Sequence, residues 1–163
     1  MKGGFDDDLL EATQIRLEDR DFMTVENYTA WMRMDRPETA MFYLGGYTIR
    51  KQRDFFKKVY ADNPWAGYFH FGDIDAGGFY IYEHLCRITG IPFKSYLMTV
   101  DVLKNPRYQS CHNPLSEQNR LRLKALRKEK AFEEIIAYML EPNVKLEQEI
   151  VSFYEMEDYE SRT

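Results

Sequence analysis

The chain predicts an α/β fold: a mostly parallel, four-stranded sheet flanked by helices, with a helical extension at the C-terminal end. Three observations lead there. Short runs rich in aromatic and β-branched residues alternate with stretches of helical periodicity, the pattern of strand–helix–strand units with right-handed crossovers. Turn-forming residues, Gly45-Gly46, Asn63-Pro64 and Gly90-Ile91-Pro92, punctuate the alternation. The length of 163 residues, with 44% hydrophobic and 15% aromatic content, suffices for one core.

Residues 1–20 read as an acidic lead-in or linker, with a short helix over 9–17. The folded domain is expected over 21–151. Its first strand, 21–25, runs into Glu26-Asn27 and a short helix through Ala30, Trp31 and Met34, which Pro37 closes. A second strand over 40–44 ends at Gly45-Gly46. Thr48 is placed to cap the next helix, in which Ile49, Phe56, Val59 and Tyr60 keep helical spacing. The third strand is 66–72, and 78–89 is a helix apolar on more than one side, hence buried. A fourth strand is expected over 93–98. Beyond it come a polar loop over 105–114, helices over 116–128 and 132–140, and a last short element over 144–151. Residues 152–163 read as a charged, flexible tail.

Bulk properties narrow the function classes. No apolar run is long enough to span a bilayer, and the acidic start lacks a signal-peptide pattern, so the expected location is cytoplasmic. Cys86 and Cys111 make neither a disulfide framework nor a Cys–His metal cluster. A net charge of −5 argues against holding nucleic acid by overall charge alone.

The most informative segment is Tyr68-Phe69-His70-Phe71-Gly72-Asp73-Ile74-Asp75-Ala76-Gly77-Gly78. An aromatic strand runs into two aspartates one residue apart, and a glycine pair opens a helix. In an extended loop, residues i and i+2 point the same way, so both carboxylates can face one cation. Hard oxygen ligands suit Mg²⁺, which takes one or two carboxylates and keeps waters or phosphate oxygens elsewhere. Gly77 and Gly78 leave backbone N–H groups open to a phosphate at the helix start. In open parallel sheets ligands bind beyond the carboxyl ends of the strands, and Glu26 falls there with Asp73 and Asp75. Glu26 taken alone reads as the cap of its short helix. His70, two residues before Gly72, can point to either face of the sheet.

The order of these pieces resembles the Toprim domain of topoisomerases, primases and related nucleases, which carries a glutamate after the first strand and an Asp-x-Asp after the third. The chain is more similar still to the C-terminal domain family of the Wadjet anti-plasmid subunit JetD. The likeness rests on Val25-Glu26-Asn27, on the segment from Gly72 to Phe79, on Leu97-Met98, and on Leu146-Glu147-Gln148-Glu149. It implies a Toprim-like catalytic domain over 21–151 that cleaves double-stranded DNA with Mg²⁺ or Mn²⁺, using one or two ions. Glu26, Asp73 and Asp75 would form the acidic site, Glu26 as ligand or general base, and Glu147 with Glu149 would complete a second metal position. A condensin-like SMC complex is implied as a partner by kinship alone, and a homodimer is a further expectation. Relatives place a sizeable DNA-binding portion before the segment matched here. Two readings follow: an excised catalytic domain, or a protein that grips DNA poorly by itself.

Each sharp reading has a plain one beside it. Asp-x-Asp pairs are often solvated turns or caps, and Glu147 and Glu149 read equally as surface charges. The face Arg50, Lys51, Arg53, Lys57 and Lys58 is a candidate DNA-binding surface, as is the stretch Arg120, Arg122, Lys124, Arg127, Lys128 and Lys130; either can be an ordinary solvated helix. Twelve tyrosines are present and none is marked as a nucleophile, which favours hydrolysis by water over strand passage. Two other functions compete: a non-catalytic interaction or dimerisation module, and an aspartate-based phosphatase. The latter normally carries its paired aspartates after the first strand rather than the third.

Overall fold

The computed structural model describes residues 13–127 and 132–160, the side chains of 157–160 excepted. Strands β1 (Asp21–Val25), β2 (Thr39–Tyr43), β3 (Gly67–Phe71) and β4 (Lys94–Ser95) form one sheet in the order β2-β1-β3-β4, every pair parallel. Helices α1 (Tyr28–Arg33), α2 (Arg50–Asp62) and α3 (Ala76–Thr89) supply the crossovers. Then come α4 (Val100–Lys104), a 3₁₀ turn at Pro106–Cys111, and β5 (Asn113–Pro114). α5 (Glu117–Leu126), α6 (Glu133–Leu140), β6 (Val144–Lys145) and α7 (Gln148–Glu160) complete the chain. β5 and β6 pair antiparallel as a small separate sheet.

Strand alternation sorts the core into two layers. Phe22 and Tyr68 point to one face, where they meet Phe56 and Val59 of α2, Ile81 and Leu85 of α3, and Phe93. Met23, Val25 and Phe71 point to the other, against Met98, Leu103, Ile136, Met139, Leu146 and Val151. Both layers are aromatic-rich: Phe22 meets Phe56 edge-on at 5.7 Å, and Phe79 stacks on Phe132 at 4.3 Å. Each fully buried ring contributes roughly 2–3 kcal/mol relative to exposure.

The register sets up the site. Val25 pairs with both Tyr43 and Phe71, so the three strands end flush. Glu26, Leu44 and Gly72 therefore leave the sheet at one edge. Backbone bonds continue past the strands, from Glu26 N to Phe71 O (3.0 Å) and from Leu44 N to Val25 O (2.8 Å).

Several expectations change. β4 spans two residues rather than 93–98, because Leu97 adopts a left-handed φ of 56° that cannot continue a strand. Thr48 does not cap α2; its N-cap is Ile49, whose N–H donates to Gln52 Oε1 at 3.0 Å. The expected loop over 105–114 contains a 3₁₀ turn and β5. The tail expected from 152 onward continues α7 to Glu160, and its Tyr154 packs edge-on against Tyr108 at 5.5 Å. The expected helix over 9–17 lies partly outside the described residues. Within them Ile15 and Leu17 are not helical, and their N–H groups donate to Asp62 Oδ2 (2.8 Å) and Asn63 Oδ1 (2.9 Å). Among the described residues no helix is long and apolar enough to cross a membrane.

Candidate active site

Glu26 follows β1 directly, and what frees it is its neighbour. Asn27 is the N-cap of α1, its Oδ1 accepting from Ala30 N at 3.1 Å. The cap expected of Glu26 is thus provided by Asn27, and the glutamate turns toward the end of β3. There its carboxylate accepts from the Asp73 backbone N–H. Glu26 Oε2 is buried and has no hydrogen-bond partner in the protein.

Asp73 and Asp75 follow β3, as the strand order requires. Asp75 caps α3, its Oδ1 accepting from Gly78 N at 2.9 Å. The Gly78 N–H expected to face a phosphate is therefore already engaged. Gly78 is glycine for another reason: a Cβ there would collide with the backbone oxygen of Asp73. Asp73 Oδ1 accepts from the Gln148 backbone N–H at 2.6 Å.

Gln148 is the residue that sequence reasoning passed over. It is fully buried, its Oε1 accepts from Asn27 N (2.9 Å), and its Nε2 donates to Phe71 O (2.9 Å). One side chain thus ties the loop after β1 to the end of β3, while its N–H holds Asp73. Beside it, Ile74 and Leu146 form an antiparallel bridge with bonds of 2.9 and 3.2 Å. The signal in the sequence was an uncharged amide between two glutamates, at a position that opens a helix.

The remaining acids arrive from the same C-terminal segment. Glu147 lies near enough for its charge to act on Asp73; it accepts from Asn113 Nδ2 at 3.3 Å and pairs with Lys145 Nζ at 3.5 Å. Glu149 accepts from Asn27 Nδ2 at 2.9 Å. Arg33 Nη1 donates to Glu149 O at 2.9 Å, fastening α1 to α7.

Burial and crowding of like charges act on protonation. Glu26 is pushed up to about 7, first by burial and then by the Asp73 charge, against the opposing pull of the Asp73 N–H. Burial likewise raises Asp73, with the Gln148 N–H opposing and the charges of Asp75 and Glu147 adding to the rise. His70 faces into the sheet layer shared with α3, and burial pushes it down to about 3, so it is neutral. Its Nδ1 meets Thr24 Oγ1 at 2.9 Å.

A cavity of about 290 Å³ opens over Glu26 and Asp73, walled by Asn27, Tyr28, Thr29, Tyr43 and Gly45-Gly46. A larger one, about 630 Å³, lies between Ser95–Val100 and the start of α6 and contains none of these acids. Of the candidate acids, Glu26 and Asp73 line the smaller. Among the described residues, no three His, Cys, Asp or Glu side chains already form a metal-ligand set. The oxygen-only donors nevertheless suit a hard cation, which completes its shell with waters, and the unpartnered Glu26 Oε2 is a donor atom to spare.

The basic residues divide. Arg50 lies at the start of α2, on the site's side of the sheet, at 3.8 Å from Asp54; Arg53 pairs with the same carboxylate at 2.7 Å. Lys57 is exposed, two turns farther along α2, and Lys51 is exposed. Lys58 pairs with Asp62 at 2.9 Å. In the second basic stretch, Arg120 is committed to Leu140 O and Asn143 Oδ1, and Arg122 covers the Tyr80 ring at 4.7 Å. Lys128 and Lys130 lie outside the described residues.

Comparison with known proteins gives the chain's family. The model of the family described as Wadjet protein JetD, C-terminal, matches residues 7–159. The Wadjet protein JetD of Bacillus cereus (strain Q1) is 26% identical over 157 residues, covering 91% of this chain and 38% of the relative. The chain thus spans well under half the length of that curated relative. It belongs to the JetD C-terminal family.

Proposed function

We propose that this member of the JetD C-terminal family is a Mg²⁺- or Mn²⁺-dependent nuclease domain that hydrolyses phosphodiester bonds of double-stranded DNA within a Wadjet-type plasmid-defence protein. One observation carries the reading: Glu26 and Asp73, from the ends of two adjacent strands, line one cavity with a buried carboxylate oxygen that no protein group satisfies. Kinship to a Wadjet protein supports the biological setting. One or two divalent ions, when bound, would supply activation of water and neutralisation of phosphate charge.

The chain's own residues do the rest. Asp73, held by Gln148, and Asp75, held by its cap, present oxygens at a fixed spacing. Glu26 would hold the ion or take the proton of the attacking water. Glu147 and Glu149 would hold a second ion. Arg50, Lys51, Arg53 and Lys57 track the DNA backbone along α2, and a condensin-like SMC complex or a second copy of the chain supplies further grip.

The test is Mg²⁺-dependent cleavage of plasmid DNA by the wild type and by Asp73→Ala and Asp75→Ala. Loss of more than about a hundredfold, beyond the usual cost of an outer-shell partner, is expected while both variants stay folded by circular dichroism, Asp75→Ala melting somewhat lower because it also loses the cap of α3. Cleavage by both variants at the wild-type rate refutes the proposal. One observation favours a second reading, a docking or dimerisation module: no ligand set of three side chains is preassembled among the described residues. A melt that does not respond to Mg²⁺ or Mn²⁺, combined with no cleavage by the wild type, selects it.

A further inference from the structure

Two buried polar atoms without protein partners lie on either side of one glycine. Glu26 Oε2 and His70 Nε2 are both shielded from solvent, and neither has a hydrogen-bond partner in the protein. A Cβ built on Gly72 would stand 2.8 Å from Glu26 Oε2 and 2.9 Å from His70 Nε2. Real Cβ atoms do not approach polar atoms so closely, so both side chains lean over the face of Gly72 that carries no side chain. Glycine is required here because the two flanking groups use the space.

His70 is not free to turn away. It is fully buried, its Nδ1 meets Thr24 Oγ1 at 2.9 Å, and its ring lies against Tyr82 with centroids 6.0 Å apart. Thr24 is fully buried on the neighbouring strand, directly opposite His70 in the register. The ring's far nitrogen is thereby aimed past Gly72 toward Glu26. Two buried polar groups left unmatched would each carry an uncompensated desolvation penalty. Buried polar atoms of this kind are commonly joined by an ordered water.

We propose that one water molecule bridges Glu26 Oε2 and His70 Nε2 across Gly72, and that His70 is the positioning residue that holds Glu26 toward the Asp73 cavity. Whichever ring nitrogen carries the proton, a water both donates and accepts, so it serves either tautomer. Thr24 fixes the ring, the ring fixes the water, and the water fixes Glu26 Oε2, a buried oxygen that no protein group matches. Glu26 then keeps its orientation without a direct protein contact at Oε2, free to adjust when a cation enters. The bridge itself is independent of the nuclease reading; the consequence for metal binding rests on it.

Two measurements test this on the whole chain. An atomic-resolution crystal structure is expected to show an ordered solvent peak within hydrogen-bond reach of both Glu26 Oε2 and His70 Nε2. Direct contact of the two atoms, or no peak touching both, overturns the bridge. In calorimetric titration with Mn²⁺ alone, His70→Phe is expected to weaken binding about tenfold, as loss of an outer-shell partner does, while His70→Gln recovers most of it. A folded His70→Phe that binds Mn²⁺ like the wild type overturns the positioning role. If the wild type binds no Mn²⁺, the metal reading fails, the positioning role falls with it, and the solvent peak still decides the bridge. Should His70→Phe not fold, His70→Gln with wild-type affinity supports the role, and His70→Gln as weak as Asp73→Ala overturns it.

Discussion

Tyr68 and His70 stand two residues apart on one face of β3, and their surroundings are opposites. At Tyr68 every polar group finds a protein partner. Its hydroxyl donates to Val59 O (3.3 Å) and Asn63 O (3.0 Å), while buried Asn63 donates to Ile15 O and Val59 O (both 2.8 Å) and accepts from Leu17 N (2.9 Å). At His70, toward the other end of the strand, a ring nitrogen and a carboxylate oxygen go unmatched and the pKa of Glu26 climbs to about 7. One end of the sheet is arranged for stability; the other carries unspent polarity where ligands bind in such sheets. Perturbed groups of this kind mark functional sites more often than structural ones.

The comparison can be broken at either end. The largest effect on stability is expected at the satisfied end. Asn63→Ala deletes three side-chain bonds in a buried setting and should cost about 3 kcal/mol in urea unfolding, with no change in divalent-cation response. Gln148→Ala comes next. It strips the side-chain ties to Asn27 and Phe71 and should cost about 2 kcal/mol; the backbone N–H to Asp73 survives, but with its anchor gone the loops carrying Glu26 and Asp73 should loosen and, unlike Asn63→Ala, weaken Mn²⁺ binding. If both variants behave alike toward the cation, the two ends do not divide as argued.

Glu26→Gln should move the other way, stabilising the cation-free protein by roughly 1–2 kcal/mol. The sign follows from linkage. The folded protein keeps the Glu26 proton up to about 7, whereas the unfolded chain releases it near 4.5, the ordinary value of a glutamate. Stability contributed by this group therefore falls as pH rises between those values and is flat above them. Unfolding in chelator across that window, wild type against Glu26→Gln, isolates the slope; a bound cation should reverse it. The smallest effect is expected on the surface. Arg50→Ala with Lys57→Ala should leave stability within about 0.5 kcal/mol and reduce the salt dependence of DNA binding, read from a titration series in salt.

Much of this was legible in the residues. The four-stranded parallel sheet and its flanking helices follow from alternation and turn placement, and the match of Glu26, Asp73 and Asp75 to one edge follows from strands that end flush. What escaped was anything set by a distant partner. Nothing local to Asn27 says that it will receive Gln148 and Glu149 from the far end of the chain. Nor does an aromatic strand reveal which face its histidine takes until Thr24 is seen opposite. β4 is shorter than its composition suggests, because Leu97-Met98 suits a strand while the left-handed φ of Leu97 ends it. α7 was cut short because its last turns are strongly charged, a pattern shared by loose tails and by helices anchored from one side.

The stitching of Asn27 to Gln148 spans 121 positions, and Asp73 is held from 75 positions away. During synthesis, therefore, the sheet and most helices can be laid down while the acidic centre still lacks its last brace. Such long-range closure is slow relative to local helix formation, and the N-terminal part of a nascent chain folds before its end emerges. A ribosome-bound precursor arrested before Leu146 would carry Glu26 and Asp73 without the strand bridge and the amide that hold them in place. The acidic centre would thus gain its final brace only after the segment that begins at Leu146 has emerged.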